Sequence, residues 1–143
     1  MAEVAVQVPA QVVPTIRATA VLLYRATAEA LQLSLGAYGE RGEALAEARR
    51  HGARLRQLDG LLEQIGWPGD PVRGVVELTG ARSVVHDALH GALIDAGERL
   101  AVACQAGWRG EGSEASVREA AAEVIALDRL VRELEAGSGK EER

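Results

Sequence analysis

From Glu3 to Val8 the chain alternates, with Val4, Val6 and Val8 two residues apart and Ala5 and Gln7 between them. Period two marks a strand with one buried face. Pro9, which has no backbone donor for a ladder, ends it. A second strand is expected at Arg73–Leu78, carried by the β-branched Val75 and Val76. Thr79 then stands where it could cap a helix beginning near Gly80.

Elsewhere the apolar period lengthens to that of a helix. Four helices are predicted: about Ala10 (or just past Pro14) to Leu35, Glu40–Ile65, Ala81–Ala106 and Ser113–Ala136. The second carries a seam at Ala44, Ala48, His51, Leu55, Leu58, Leu62 and Ile65, in alternating steps of 4 and 3. The fourth repeats those steps through Ser113, Val117, Ala120, Val124, Leu127, Val131 and Leu134, and the third through His86, Leu89, Leu93, Ala96, Leu100 and Ala103. Such seams are the knobs of antiparallel helix packing. Gly66-Trp67-Pro68-Gly69-Asp70-Pro71 is a loop, and residues 137–143 read as a mobile tail.

The two halves resemble one another at an offset of about 70. Val6-Gln7-Val8-Pro9 matches Val76-Glu77-Leu78-Thr79, and the connector 36–42 matches 106–112, with Tyr38 and Trp108 in one slot. After a slip of one, Leu58-Asp59-Gly60-Leu61-Leu62 meets Leu127-Asp128-Arg129-Leu130-Val131. The expectation is one mainly α domain over residues 1–136, made of two tandem strand-helix-helix repeats (1–69 and 70–136). They form an up-down-up-down four-helix bundle with a two-stranded β-ribbon at one end.

The first helix departs from the others. Its apolar arc, from Leu22 and Leu33 round to Tyr24, Leu31 and Leu35, covers roughly 220° where a single core contact needs about 100°. No helix is central in a four-helix bundle. The surplus therefore predicts a homodimer, with Leu22, Tyr24, Leu31, Leu33 and Leu35 as interface.

Composition narrows the class. The 143 residues are 48% hydrophobic but only 3% aromatic, so Leu, Val and Ala must fill the core. Cys104 is the single cysteine, which excludes a disulfide scaffold. The longest uncharged stretch, 4–16, holds two prolines and is too short to span a bilayer. Glu3 stands where a secretory signal needs a basic residue. All but one of the 16 basic residues are Arg, a bias that reads as GC-rich coding. A bacterial cytoplasmic protein is expected. The net charge of −5 resides almost wholly in residues 111–143, and an acidic chain repels nucleic acid.

Candidate chemistry is sparse. His86 and His90 have the four-residue spacing that lets two imidazoles share a metal, and His51 lies on the neighbouring seam. Three histidines in a helical bundle are similar to the DinB-type metalloenzymes in number only, since their order and spacing differ. With Cys104 they are the metal candidates, against the default of packed histidines and a small buried thiol. No phosphate loop or nucleophile elbow is visible. The run Arg49-Arg50-His51-Gly52-Ala53-Arg54-Leu55-Arg56 could hold phosphate, but Glu43, Glu47, Asp59 and Glu63 bracket it at pairing distance.

The segment Val4–Val13 resembles the opening of ribbon-helix-helix DNA-binding proteins, in which a dimeric ribbon enters the major groove. Here Glu3, Ala5 and Gln7 take the places of that family's polar or basic side chains, and the first helix is much longer. A flank of His90, Gly97, Ala101 and Cys104 would permit close helix approach, with Ile94 and Val84 outside the core arc. The expected role is therefore non-enzymatic, without cofactor, through protein contacts and self-association. A DNA-binding regulator, or a metal-binding or enzymatic bundle using His51, His86 and His90, is the alternative.

Overall fold

A computed structural model describes residues 3–36 and 42–141. They are mainly helical, with four helices and a two-stranded antiparallel sheet. Strand β1 (Glu3–Val8) leads through a single 3-10 turn at Ala10–Val12 into helix α1 (Val13–Gly36), which α2 (Gly42–Ile65) follows. Strand β2 (Val76–Ala81) then runs directly into α3 (Arg82–Trp108), and α4 (Glu114–Glu141) completes the order. None of these helices is long and apolar enough to cross a membrane.

The strands pair with Val6 opposite Leu78, Gln7 opposite Glu77 and Val8 opposite Val76. The even-numbered side chains of β1 face the helices, so Val6, Val8 and Leu78 are buried, while Ala5, Gln7 and Glu77 lie exposed on the other face. The core gathers under this ribbon. It is built from Val12, Val13 and Ile16 of the first turns, Leu58, Leu61 and Ile65 at the end of α2, Val84 to Ala96 on α3, and Leu127 to Leu134 on α4. Helix α1 lies against α2 and α3, and α3 against α4. Where α1 meets α3 the backbones approach closely: a Cβ on Gly91 would stand 2.6 Å from Cγ2 of Thr19.

Several expectations shift. β2 begins three residues later than predicted, at Val76, because Gly74 at φ +126° turns the chain and Val75 stays exposed. Thr79 is accordingly a strand residue, and the N-cap of α3 is Ala81, without a side-chain bond. Val84 is buried rather than peripheral, since the ribbon roofs the first turn of α3. Helix α4 continues past Ala136 to Glu141, with no proline to stop it. The close approach falls on Gly91, whereas a Cβ on Gly97 would meet nothing within 4 Å. Ser113 does open α4, its Oγ accepting from Ser116 N–H at 3.1 Å.

The α2–β2 connection is held by a residue the pattern does not single out. Arg17 of α1 is buried (6% exposed), yet it faces no carboxylate. Its Nε donates to Ile65 O at 2.7 Å, Nη1 to Asp70 O at 2.6 Å and Nη2 to Pro71 O at 3.2 Å. The guanidinium thus sits at the C-terminus of α2, where the helix dipole and orphan carbonyls favour a cation. Between those carbonyls, Trp67-Pro68-Gly69-Asp70 makes a turn with Gly69 at φ +98°, closed by Asp70 N–H to Trp67 O at 3.0 Å. Trp67 packs edge-on against Tyr24, ring centroids 5.8 Å apart. Gly66 has φ +91°, and a Cβ there would stand 2.5 Å from Arg17 Nη2.

Replacing Arg17 with Met would strand three carbonyls. We expect a loss of about 3 kcal/mol in urea unfolding followed by circular dichroism. Gly66→Ala should cost about 1–3 kcal/mol for its backbone conformation and the contact with Arg17. An Arg17→Met protein as stable as the parent would refute this account of the clasp.

Candidate functional site

The histidines do not converge. His86 and His90 stack, ring centroids 5.6 Å apart and nearly parallel, and His86 Nε2 lies 3.3 Å from Glu135 Oε1 of α4. His90 is exposed, and His51 and Cys104 are half-buried on their own helices. Among the described residues no three His, Cys, Asp or Glu side chains are grouped to hold a metal ion. The stacked pair has the geometry of two flank imidazoles beside a carboxylate.

Polar side chains meet instead where α1, α3 and α4 come together. Arg99 Nη1 lies 2.9 Å from Glu123 Oε2, and its Nη2 donates to Thr15 Oγ1 at 2.8 Å. Thr15 Oγ1 in turn donates to Glu123 Oε1 at 3.3 Å, and Asp95 approaches Arg99 Nε at 3.2 Å. Thr15 is buried and the Glu123 side chain is mostly covered, a carboxylate between helices that the sequence pattern did not single out. The signal was available: Glu123 and Arg99 each precede a seam residue, Val124 and Leu100, in the flanking position where interhelical charge pairs form. Every group in this network is engaged by another. Such an arrangement locks three helices in register and offers no free acid, base or nucleophile.

The arginine run behaves differently from its expectation. Arg54 pairs with Asp87 of α3 at 2.7 Å rather than with an acid of its own helix, and both side chains stay partly exposed. Arg49, Arg50 and Arg56 are exposed on α2. The outward face of the ribbon carries Glu3 and Glu77 but no basic residue, and Gln7 Nε2 donates to Glu77 Oε2 at 3.2 Å. A face of that charge is poorly suited to a phosphate backbone.

The apolar residues of α1 divide. Tyr24 is half-buried against Trp67 and the core, and Leu31 is half-buried. Leu22, Leu33 and Leu35 are 64%, 77% and 55% exposed. Leu22, Ala26, Glu29 and Leu33 fall on one helical stripe, and all four are exposed. Ile94, Val102 and Trp108 on α3 and Ile125 on α4 are exposed as well. Most of this uncovered apolar surface lies away from the ribbon, on the parts of the helices that the core does not reach. Tyr38, in the connector, lies outside the described residues.

Comparison with protein-family models, with curated proteins and with solved structures finds no match.

With no third ligand grouped beside the stacked His86 and His90 among the described residues, little zinc binding is expected. Adding zinc or a chelator should leave the melting temperature unchanged within about 1 °C, because a ligand specific to the folded state would raise it. Stoichiometric zinc retained through gel filtration, and lost in His86→Ala/His90→Ala, would overturn this.

Proposed function

We propose that this protein works through contacts with other protein, a second copy of itself first, and not by catalysis. The observation that carries the reading is the exposed stripe of α1, where Leu22 and Leu33 stand open on one face while the same helix buries Ile16 and Ala20 under the ribbon. Single exposed leucines are ordinary on soluble proteins. Here they share a stripe, and Ile94, Val102, Trp108 and Ile125 add further exposed apolar side chains on α3 and α4. A homodimer that buries this surface explains the wide apolar arc of the first helix.

The same reading takes the chain as a duplicated unit folded into an up-down-up-down bundle. Two observations support it. The ribbon sets Gln7 directly opposite Glu77, the residue that the internal alignment equates with it, as a local two-fold axis requires. In addition Leu58, Leu61, Leu62 and Ile65 are buried on α2 at the same spacing as Leu127, Leu130, Val131 and Leu134 on α4. A bacterial cytoplasmic setting fits the Arg-for-Lys bias and the acidic C-terminal quarter.

Analytical ultracentrifugation tests the dimer. The parent chain should sediment at twice its 15.1 kDa mass, and Leu33→Glu or Leu22→Glu should weaken association by about tenfold or more, in line with removing one leucine from an apolar contact. Because both residues are exposed on the single chain, helicity and the unfolding midpoint at concentrations where the parent is already dissociated should stay as they are. A parent protein that remains monomeric at about 100 μM, well above a Kd of standard-size interfaces, would remove the main support for this function.

A further inference from the structure

A two-stranded ribbon has two outer edges, and they are treated differently here. On the β2 side, Gln64 of α2 donates from Nε2 to Thr79 O at 2.8 Å, and its Oε1 accepts from Thr79 N–H at 2.7 Å. Its carboxamide pairs with Thr79 as a neighbouring peptide group would, and fills the middle of that edge. Since the backbone groups of Thr79 point to Gln64, those of its partner Ala5 point away from β2 as well. By alternation the N–H and C=O of Glu3 and Gln7 also face the outer edge of β1.

That edge opens into a groove of about 390 Å³ between β1 and α4, running from Glu3 to Gln7 and walled by Leu134 and Glu133. Glu133 is the positional counterpart of Gln64: each immediately precedes a buried residue, Leu134 and Ile65, that closes the same 3-1-3 spacing on its helix. A carboxylate accepts hydrogen bonds but cannot donate, so Glu133 cannot give β1 the two-way pairing that Gln64 gives β2. One edge is plugged by an amide, and its counterpart is left as an open slot.

We propose that the outer edge of β1 is a docking site for an extended peptide segment of a partner protein, which adds as a third strand beside Glu3–Val8. The plugged edge shows which chemistry satisfies this ribbon: an amide that donates and accepts side by side, repeated by a main chain along the strand. Charge selects among such segments. Among the described lining residues the carboxylates of Glu3 and Glu133 outnumber the one cation, Arg82, which favours a strand carrying Lys or Arg over an acidic one. This inference is independent of self-association through α1 and involves a different surface.

The test uses the full chain and a fluorescent peptide, acetyl-Lys-Val-Thr-Val-Lys-Val-amide, read by anisotropy, with amide hydrogen exchange by NMR alongside. Alone, the protein should exchange Ala5 and Gln7 amides quickly and Thr79 slowly, and saturating peptide should protect Ala5. Ala5→Pro removes an outward donor without touching the β1–β2 ladder, as proline is tolerated on outward-facing edge positions. It should abolish saturable binding while Thr79 stays protected. Glu133→Gln installs the missing carboxamide and should weaken the peptide about tenfold or more. No saturable binding to the parent chain, or binding that both variants leave unchanged, would overturn the proposal. So would Ala5 protection that rises with protein concentration in the absence of peptide, which assigns the edge to a second copy.

Discussion

A two-stranded ribbon is not stable in water by itself, and everything here follows from the need to roof its inner face. Val6, Val8 and Leu78 point inward, and the helices that emerge from the two strands place Val13, Ile16, Val85 and Leu89 beneath them. Helices α2 and α4 bring Leu58 to Ile65 and Leu127 to Leu134 to the same place. The ribbon therefore fixes where the interior lies, and the far portions of the helices are left with less to bury.

Arg17 fixes the point from which the second strand of the ribbon departs. Strand β2 follows a loop that carries two prolines and three glycines of positive φ, and nothing in that loop holds it near β1. A guanidinium fixed on α1 collects the carbonyls of Ile65, Asp70 and Pro71, so the helix that leaves β1 also sets the point from which β2 departs. With three of its five N–H donors taken by carbonyls at the C-terminus of α2, the buried cation is spared part of its desolvation cost. Gly66 is the complement, because only a residue without a side chain admits the guanidinium there.

The helices were legible because they follow an unbroken 3-4 spacing. Starts at Gly42, Arg82 and Glu114 lie within two residues of the expected positions. β2 was less so. Gly80 and Ala81 are poor strand formers, and with Thr79 they become strand because Ala5, Val4 and Glu3 stand opposite them, a tertiary decision that a local pattern cannot carry. Val84 lay off the helix's own apolar arc and is buried by the ribbon instead. Arg17 was invisible for a related reason: its partners are main-chain carbonyls some fifty positions away, and these have no side-chain signature. The exposed leucines of the first helix were readable as a surplus of apolar arc. The unequal edges of the ribbon needed the position of Gln64 beside Thr79.

The pairing of residue 3 with residue 81 has a consequence in time. A ribosome adding 5–20 residues per second releases β1 roughly 4–16 s before β2 is complete. Throughout that interval Glu3–Val8 has neither neighbour, and both of its rows of amides and carbonyls are bare. The nascent chain can meanwhile bring α1 against α2, which lie together in the folded protein. During synthesis the first strand is therefore the stretch most open to capture by a chaperone or by another nascent chain, and it leaves that state only when the second strand emerges.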